Sequence, residues 1–346
     1  MSQILSKLQP ARFPQPPQPP QTARLPAPSR RLGRPRLLIV GCGDVGTRCL
    51  RILSSRMRVF AVTSQPARRA ELRAAGAVPL VADLDRPATL ARLRGLATRV
   101  LDLAPPPGQG EGDPRTRALL AILRRTTWRR TAWRRARTAA GMLPGEPAIL
   151  PDRSRPRAAF VYASTTGVYG DRQGARVAEF HAVRPQTARA RRRVAAEQAV
   201  RAFGRDAGWR ASVVRIPGIY AEDRLPLARL KRGTPALVPQ DDVYTSHIHA
   251  DDLARIMVAA LFRGRPQRVV HASDDTELRM ADYFDLVAER RGLPRPPRIT
   301  RGEALQVIDK TLLSFMSESR RLDNRRLKRE LRLRLRYPTV ADFFGA

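Results

Sequence analysis

Three glycines, Gly41, Gly43 and Gly46, stand in the spacing G-x-G-x-x-G within "LLIVGCGDVGTRC", after a run of buried-type residues and at the head of a helical pattern. Each has a physical duty in such a loop. The first permits a tight turn, the second lets backbone approach a phosphate, and the third lets a helix pack closely on a strand. The following helix offers free N–H groups and the positive end of its dipole to an anion. The implied chemistry is binding of a dinucleotide pyrophosphate, with Asp44 and Val45 inside the loop. A site for NAD usually carries an acid about 20 residues further on, for the ribose 2′-hydroxyl. Between Asp44 and Glu71 there is none; the second apolar run ends in Thr63 and Ser64, followed by Arg68 and Arg69. Hydroxyls and guanidinium groups suit a 2′-phosphate, so NADP is preferred over NAD as the expected cofactor.

A second group of residues with chemical potential lies in "RPQTARARRRVAAEQAV", residues 184–200, which carries five arginines against one glutamate. Its pattern is helical. Arg189, Arg193 and Glu197 are four apart and share a face, which predicts a Glu197–Arg193 pair. In "SHIHADD", alternation on a strand puts His247 and His249 on one face, as metal ligands require, but no cysteine or third histidine joins them and no metal is expected. Asp251 and Asp252 read as caps for the next helix, with a catalytic carboxylate pair as the alternative. Cys42 and Cys49, seven apart on one turn and helix, predict free thiols and a cytoplasmic setting.

The elements that must position these groups are legible in the texture. "RLLIVG", "RVFAVT", "AVPLVA" and "RVLDLA" read as strands, with helices in "DVGTRCLRILSS", "PARRAELRAAG" and "PATLARLRG" between them. Alternation of this kind predicts an α/β fold, a Rossmann-type doubly wound parallel sheet. It breaks from about 113 to 157, where "RRTTWRRTAWRRAR" sprays arginine pairs around any helix axis and suggests a solvated basic insertion. It resumes with "AAFVYAS", the arginine helix and "RASVVRI". Shorter elements follow: "YTSHIHADDLARIMVAALF", "QRVVHAS", "RMADYFDLVAERRG" and a helical "SRRLDNRRLKREL". Residues 1–35, with "PQPPQPPQ" and no acid, predict a disordered arm. The expected organisation is this arm, a dinucleotide-binding domain over 36–220, and a small C-terminal α+β substrate lobe over 221–346, with some elements returning to the main sheet.

The 346 residues are 42% hydrophobic, enough for a real core, and carry a formal charge of +34. Only Lys7, Lys231, Lys310 and Lys328 among the 65 basic residues are lysines. A scattered arginine excess of this sort favours nonspecific polyanion binding over sequence-reading recognition. No run approaches a membrane span, and no apolar signal segment opens the chain. A small-molecule substrate is the expected partner, with a homodimer as a further expectation and no membrane contact.

At "FVYASTTGVYGD" the chain resembles the extended short-chain dehydrogenase/reductase superfamily, of the NAD-dependent epimerase/dehydratase type. The resemblance covers about residues 36–345 and includes "LVADLD", "LDLAPP", "VVRIPGIYAEDR", "HIHADDLA" and "SESRRLDNRRLKREL". It implies that Asp83 and Leu84 flank the adenine and that Ala104 and Pro105 lie at the ribose. It further implies that Thr165 polarises the reacting carbonyl and that Pro217 and Gly218 lie near the nicotinamide. The sequence departs from the family at two places. The usual G-x-x-G-x-x-G would put its first glycine at Val40. The catalytic Tyr-x-x-x-Lys, registered on Glu197, falls on Arg189 and Arg193. Arginine, with a pKa above about 12, cannot shuttle a proton at neutral pH. The catalytic candidates are therefore Thr165, Arg189 as an electrostatic stabiliser, Arg193 as a ribose grip, and Tyr169 as either a substitute acid or a packing residue. The expected function is an NAD(P)-binding oxidoreductase or epimerase-like protein with an atypical active site. The alternatives are a catalytically silent dinucleotide sensor or scaffold, and a polyanion-binding protein on a Rossmann scaffold.

Overall fold

The computed structural model describes residues 34–124 and 158–345. The readings of the N-terminal arm up to residue 33 and of the arginine and tryptophan segment over 125–157 lie outside them. Seven strands, β1 (Arg36–Val40), β2 (Arg58–Thr63), β3 (Val78–Val81), β4 (Arg99–Asp102), β5 (Ala159–Thr165), β6 (Arg210–Ile216) and β7 (Arg268–His271), make one sheet in the order β7-β6-β5-β4-β1-β2-β3. Every pairing is parallel. The chain winds outward from β1 to β3, then returns to lay β4 on the other side of β1. This reversal opens a crevice at the carboxyl ends of the strands, where open α/β sheets bind ligands.

The apolar runs of the strands follow from burial on both faces. Leu37, Ile39, Leu101, Val161 and Val214 pack toward α1 (Asp44–Leu53), together with apolar residues of the later helix Ala250–Arg263. Leu38, Val40, Val100, Phe160 and Val213 pack on the opposite side. Between β2 and β3 lies α2 (Arg69–Ala74). Residues 114–124, labelled α3, are helical and bury Leu119, Leu120 and Leu123. Asp113 begins this helix by accepting from the Thr116 amide (3.0 Å) and hydroxyl (2.9 Å). The expected break at 113 is thus corrected: helical alternation continues to 124. "PATLARLRG" is also corrected, since Pro87–Leu93 is a 3₁₀ segment, started by a proline that lacks the N–H.

The arginine-rich segment forms α4 (Ala188–Ala207). The Thr187 hydroxyl accepts the Ala190 N–H at its start, and Gly208, at φ +68°, ends it in the left-handed region. Ala196, Val200 and Phe203 seat it on the sheet. Ala250–Arg263 is α5 and Met280–Arg290 is α6. A separate apolar cluster of Tyr220, Leu230, Tyr283, Phe284 and Val287 forms the core of the C-terminal part. "SRRLDNRRLKREL" is only partly helical: Arg321–Leu322 pairs with Arg176–Val177, and the helix is confined to Arg325–Glu330. Among the described residues no helix is long and apolar enough to cross a membrane.

Candidate active site

The glycine loop divides its duties by geometry. Gly41 has φ +78°, and a Cβ there would stand 2.6 Å from the Ala104 amide nitrogen. The turn after β1 therefore closes against the loop after β4. A Cβ on Gly46 would lie 3.2 Å from Cys42 Sγ and 3.4 Å from Ile39 Cγ2, so α1 sits hard on β1. Gly43 is extended, at φ −81°, and a Cβ there would meet nothing within 4 Å. It also precedes α1 without a side-chain cap, so no side chain competes for the first-turn amides. Closed space at Gly41 and Gly46, open space at Gly43 and a bare helix start together suit a pyrophosphate. Val45 is partly buried against the core under α1. Cys42 and Cys49 are buried free thiols, and burial raises both pKa values.

Charged residues brace this loop. Asp44 holds Arg48 (2.8 Å) and Arg224 (2.9 Å), while Arg48 also reaches Asp251 on α5. Arg68 crosses from beyond β2 and donates to the Cys42 carbonyl at 2.8 Å. It is also held bidentately by Glu71, at 2.9 and 2.7 Å, which offsets its charge. The Thr63 hydroxyl accepts the Gln65 N–H at 3.1 Å, and Ser64 is exposed. Asp83 accepts the Asp85 N–H (3.0 Å), with Leu84 half-buried beside it. Arg115 ties this turn to the Ala104–Pro105 loop through Asp85 and the Pro105 carbonyl. Below that loop lies Asp102, which accepts from the Ala104 amide at 3.4 Å. Burial, with the Asp113 charge adding to it, pushes the Asp102 carboxyl up to about 7.

A cleft of about 280 Å³ gathers Thr165 from the end of β5, Arg189 from α4, and Pro217 and Gly218 from just beyond β6. Four expected site residues thus share one cavity. The Thr165 oxygen accepts the Gly167 N–H at 3.3 Å, which leaves its proton available to a substrate oxygen. The Arg189 guanidinium is exposed and lies 4.3 Å from the Phe315 ring centroid. Sequence reasoning missed Tyr244, Phe315, Glu318 and Arg320, which line the same cleft. Arg320 donates to Glu318 (2.8 Å) and to the Gly170 carbonyl (3.0 Å). Glu318 and Arg320 stand in "SESRR", too far along the chain for spacing to place them, and Tyr244 opens "YTSHIHADD", which spacing read for its histidines.

Two expectations are corrected, and for Tyr169 burial selects one of the two readings. Glu197 pairs not with Arg193 but with Arg215 on β6, at 3.0 and 2.7 Å, both side chains nearly fully buried. Arg193 instead donates to the Tyr162 hydroxyl (3.0 Å) and the Ala163 carbonyl (2.7 Å) and does not line the cleft. Helical spacing finds neighbours on the same helix; it cannot see a cation on the strand beneath. Tyr169 is completely buried, so it is a packing residue and not a substitute acid. Its hydroxyl takes a hydrogen bond from Arg215 (2.6 Å) and, given that His271 Nδ1 donates to the Asp323 carbonyl (2.9 Å), donates to His271 Nε2 (2.6 Å). Burial lifts the phenol to about 12 and drops His271 to about 3. Asp251 and Asp252 do not cap α5; the His249 imidazole does, accepting the Asp251 N–H at 3.2 Å. Asp252 is fully buried and accepts the Arg336 and Tyr337 amides, pinning the C-terminal segment to α5.

Sheet order, glycine loop and cleft define a Rossmann-type protein with a site at the carboxyl ends of its strands. Comparison with known proteins agrees. The profile of the NAD dependent epimerase/dehydratase family matches residues 151–272, and that of the TrkA-N domain matches residues 37–100. A conserved protein of unknown function from Silicibacter pomeroyi DSS is 30% identical, with a TM-score of 0.68, over 90% of this chain and 97% of its own. A dTDP-glucose 4,6-dehydratase from Streptomyces venezuelae, solved with NAD bound, is 19% identical, with a TM-score of 0.67, over 90% and 94%. A UDP-glucuronic acid 4-epimerase from Bacillus cereus, in complex with NAD, is 14% identical, with a TM-score of 0.62, over 90% and 98%. At those identities the last two show the shared fold alone. No curated protein matches. The chain belongs to the NAD-dependent epimerase/dehydratase family.

Proposed function

We propose that this chain binds a nicotinamide dinucleotide across the glycine loop and uses the cleft at Thr165 to act on a carbonyl or hydroxyl substrate as an atypical oxidoreductase or epimerase. The observation that carries this is the open space at Gly43 between two glycines closed off by neighbouring atoms, at the bare N-terminus of α1. The family relatives solved with NAD support the same cofactor class. Arg68, beside the loop, supports a preference for NADP, against which Glu71 and the NAD-bound relatives weigh.

The bound nicotinamide supplies hydride exchange. The chain's residues do the rest: Thr165 polarises the substrate oxygen by a hydrogen bond from its hydroxyl, keeping its proton, and Arg189 stabilises negative charge that develops there. Arg189 and Arg193 stand at the family's tyrosine and lysine positions in this reading. Positioned acid–base catalysis is worth about 10²–10⁴-fold, so the change costs roughly 3 to 5 kcal/mol unless another group supplies the proton. Tyr244, the phenol lining the cleft, and solvent are the two sources. The second reading, a dinucleotide-binding sensor without turnover, is favoured by the tethering of Arg193 to β5.

The test is oxidation of NADH and NADPH across a carbonyl panel by the native chain, by Tyr244→Phe and by Arg189→Tyr with Arg193→Lys. Turnover that falls at least tenfold in Tyr244→Phe assigns the proton to that phenol. Dinucleotide binding with no turnover in the native chain and a gain in the double variant leaves the sensor. Absence of saturable binding of either dinucleotide defeats both readings.

A further inference from the structure

At the opposite edge of the sheet, at the amino ends of β1, β2 and β4, lies a second cavity of about 630 Å³. This is within the size range of pockets that hold small organic ligands. Its floor is apolar: Ile52 from α1, Met57, Val258 and Phe262 from α5, and Leu333. Ile52 and Phe262 are 40% and 41% exposed, so two of the large apolar side chains left uncovered sit in one place. Clustered exposure of this kind marks a binding surface more often than scattered exposure does.

The rim of the same cavity holds Arg56, Arg99, Arg255, Arg263, Arg332 and Arg334, and no carboxylate lines it. Arg255 pairs with Asp252 at 2.5 Å; the other five have no ion-pair partner among the described residues. Arg99 lies over the Phe262 ring at 5.5 Å, and Arg263 donates to the Leu331 carbonyl at 2.8 Å. Just behind, Arg210 donates to the Phe262 carbonyl at 2.9 Å. Burial, and then the charge of Arg99, lower the Arg210 pKa. Like charges thus crowd an apolar floor with Asp252, taken up by Arg255, as the one counter-charge beside them among the described residues, and low-dielectric walls strengthen their field.

A hydrophilic anion would neutralise the rim but leave the floor wet, whereas a neutral apolar ligand would leave the cations uncompensated. Residues 1–33 of this chain contain no acid, so their charge does not suit the rim. We propose that this cavity binds an amphiphile with a single alkyl or acyl chain and an anionic head, carboxylate or phosphate. The floor takes the chain, and the guanidinium groups of Arg56, Arg99 and Arg334 take the head. The proposal is independent of the cofactor reading, because the cavity lies on the other edge of the sheet.

The test is calorimetric titration of the full chain with dodecanoate, dodecyl phosphate, dodecanol and inorganic phosphate. Expected is saturable binding of one equivalent of either anionic amphiphile, with dodecanol and inorganic phosphate at least tenfold weaker. Arg56→Ala with Arg334→Ala, both on the surface, should weaken the anionic probes at least fivefold, and Val258→Trp should abolish binding by filling the cavity. The relative strength of the two anionic probes identifies the head group. Uptake of many equivalents unaffected by the arginine variants would be a general charge effect and would overturn the proposal. So would dodecanol binding as tightly as dodecanoate, or a chain dimer in sedimentation that Val258→Trp abolishes, which would assign the surface to a second copy.

Discussion

At the scale of single residues, the three glycines of the loop should respond differently to the same added methyl group. Gly41→Ala forces a side chain into the left-handed region and against the Ala104 amide 2.6 Å away. The backbone strain alone costs about 1–3 kcal/mol, read as a lower denaturation midpoint. Gly43→Ala meets no atom and should leave the midpoint nearly unchanged. Asp102 gives a pH dependence. Its carboxyl titrates at about 7 in the folded chain because it is buried, against about 3.9 when unfolded. As pH rises the unfolded chain releases this proton first. The stability it contributes is therefore full below about pH 4 and is lost progressively up to about pH 7. Asp102→Asn should flatten that decline, by at most about 1.4 kcal/mol per pH unit, in chemical denaturation at several pH values. Some slope should remain, since burial also pushes Asp274 up to about 7. Superimposable profiles for native chain and variant would count against a buried, protonated Asp102.

At the scale of elements, α4 is held to the sheet by a buried ion pair and not by its surface arginines. Glu197 joins Arg215 of β6 and also accepts the Ser164 hydroxyl of β5 at 2.6 Å, so a helix and two neighbouring strands meet at one carboxylate. Glu197→Ala leaves a guanidinium buried without its counter-charge and should cost about 3–5 kcal/mol of stability. Arg189→Ala on the same helix, exposed, should cost under about 0.5 kcal/mol. A Glu197→Leu, Arg215→Met double replacement should recover most of the loss, because neither charge is then stranded. Equal costs for the Glu197 and Arg189 variants would contradict this anchoring. The elements also show what the sequence could and could not disclose. Strands buried on both faces announce themselves as apolar runs, and glycine spacing located the loop, because both are local patterns. Arg215, a lone cation inside the apolar "RASVVRI", was a readable sign that a buried carboxylate must lie nearby. Which carboxylate it met depends on α4 crossing β6, a tertiary fact. Likewise, Asp252 looked like a helix cap because capping is local, whereas its partners, the amides of residues 336 and 337, lie more than 80 residues away. Helix α3 was hidden because arginine pairs just beyond it masked the apolar spacing of Leu119, Leu120 and Leu123.

At the scale of the whole molecule, the sheet separates two sites. The carboxyl ends of the strands carry the glycine loop, the Arg68 bridge and the Thr165 cleft; the amino ends carry the arginine-rimmed cavity. The proposed NADP preference belongs to this scale, because Arg68, from the segment after β2, hydrogen-bonds the loop after β1. Arg68→Ala should weaken NADPH more than NADH, by at least fivefold in the ratio of dissociation constants; an unchanged ratio would remove Arg68 from cofactor selection. The most direct measurement is titration of the native chain and of Gly43→Ala with NADH and NADPH, followed by nicotinamide fluorescence, with both proteins shown by thermal unfolding to be equally folded. Expected is saturable one-to-one binding to the native chain, weakened at least tenfold in Gly43→Ala, whose methyl group occupies the space a pyrophosphate needs. Equal binding by the two proteins, or none by the native chain, would contradict a dinucleotide site at this loop.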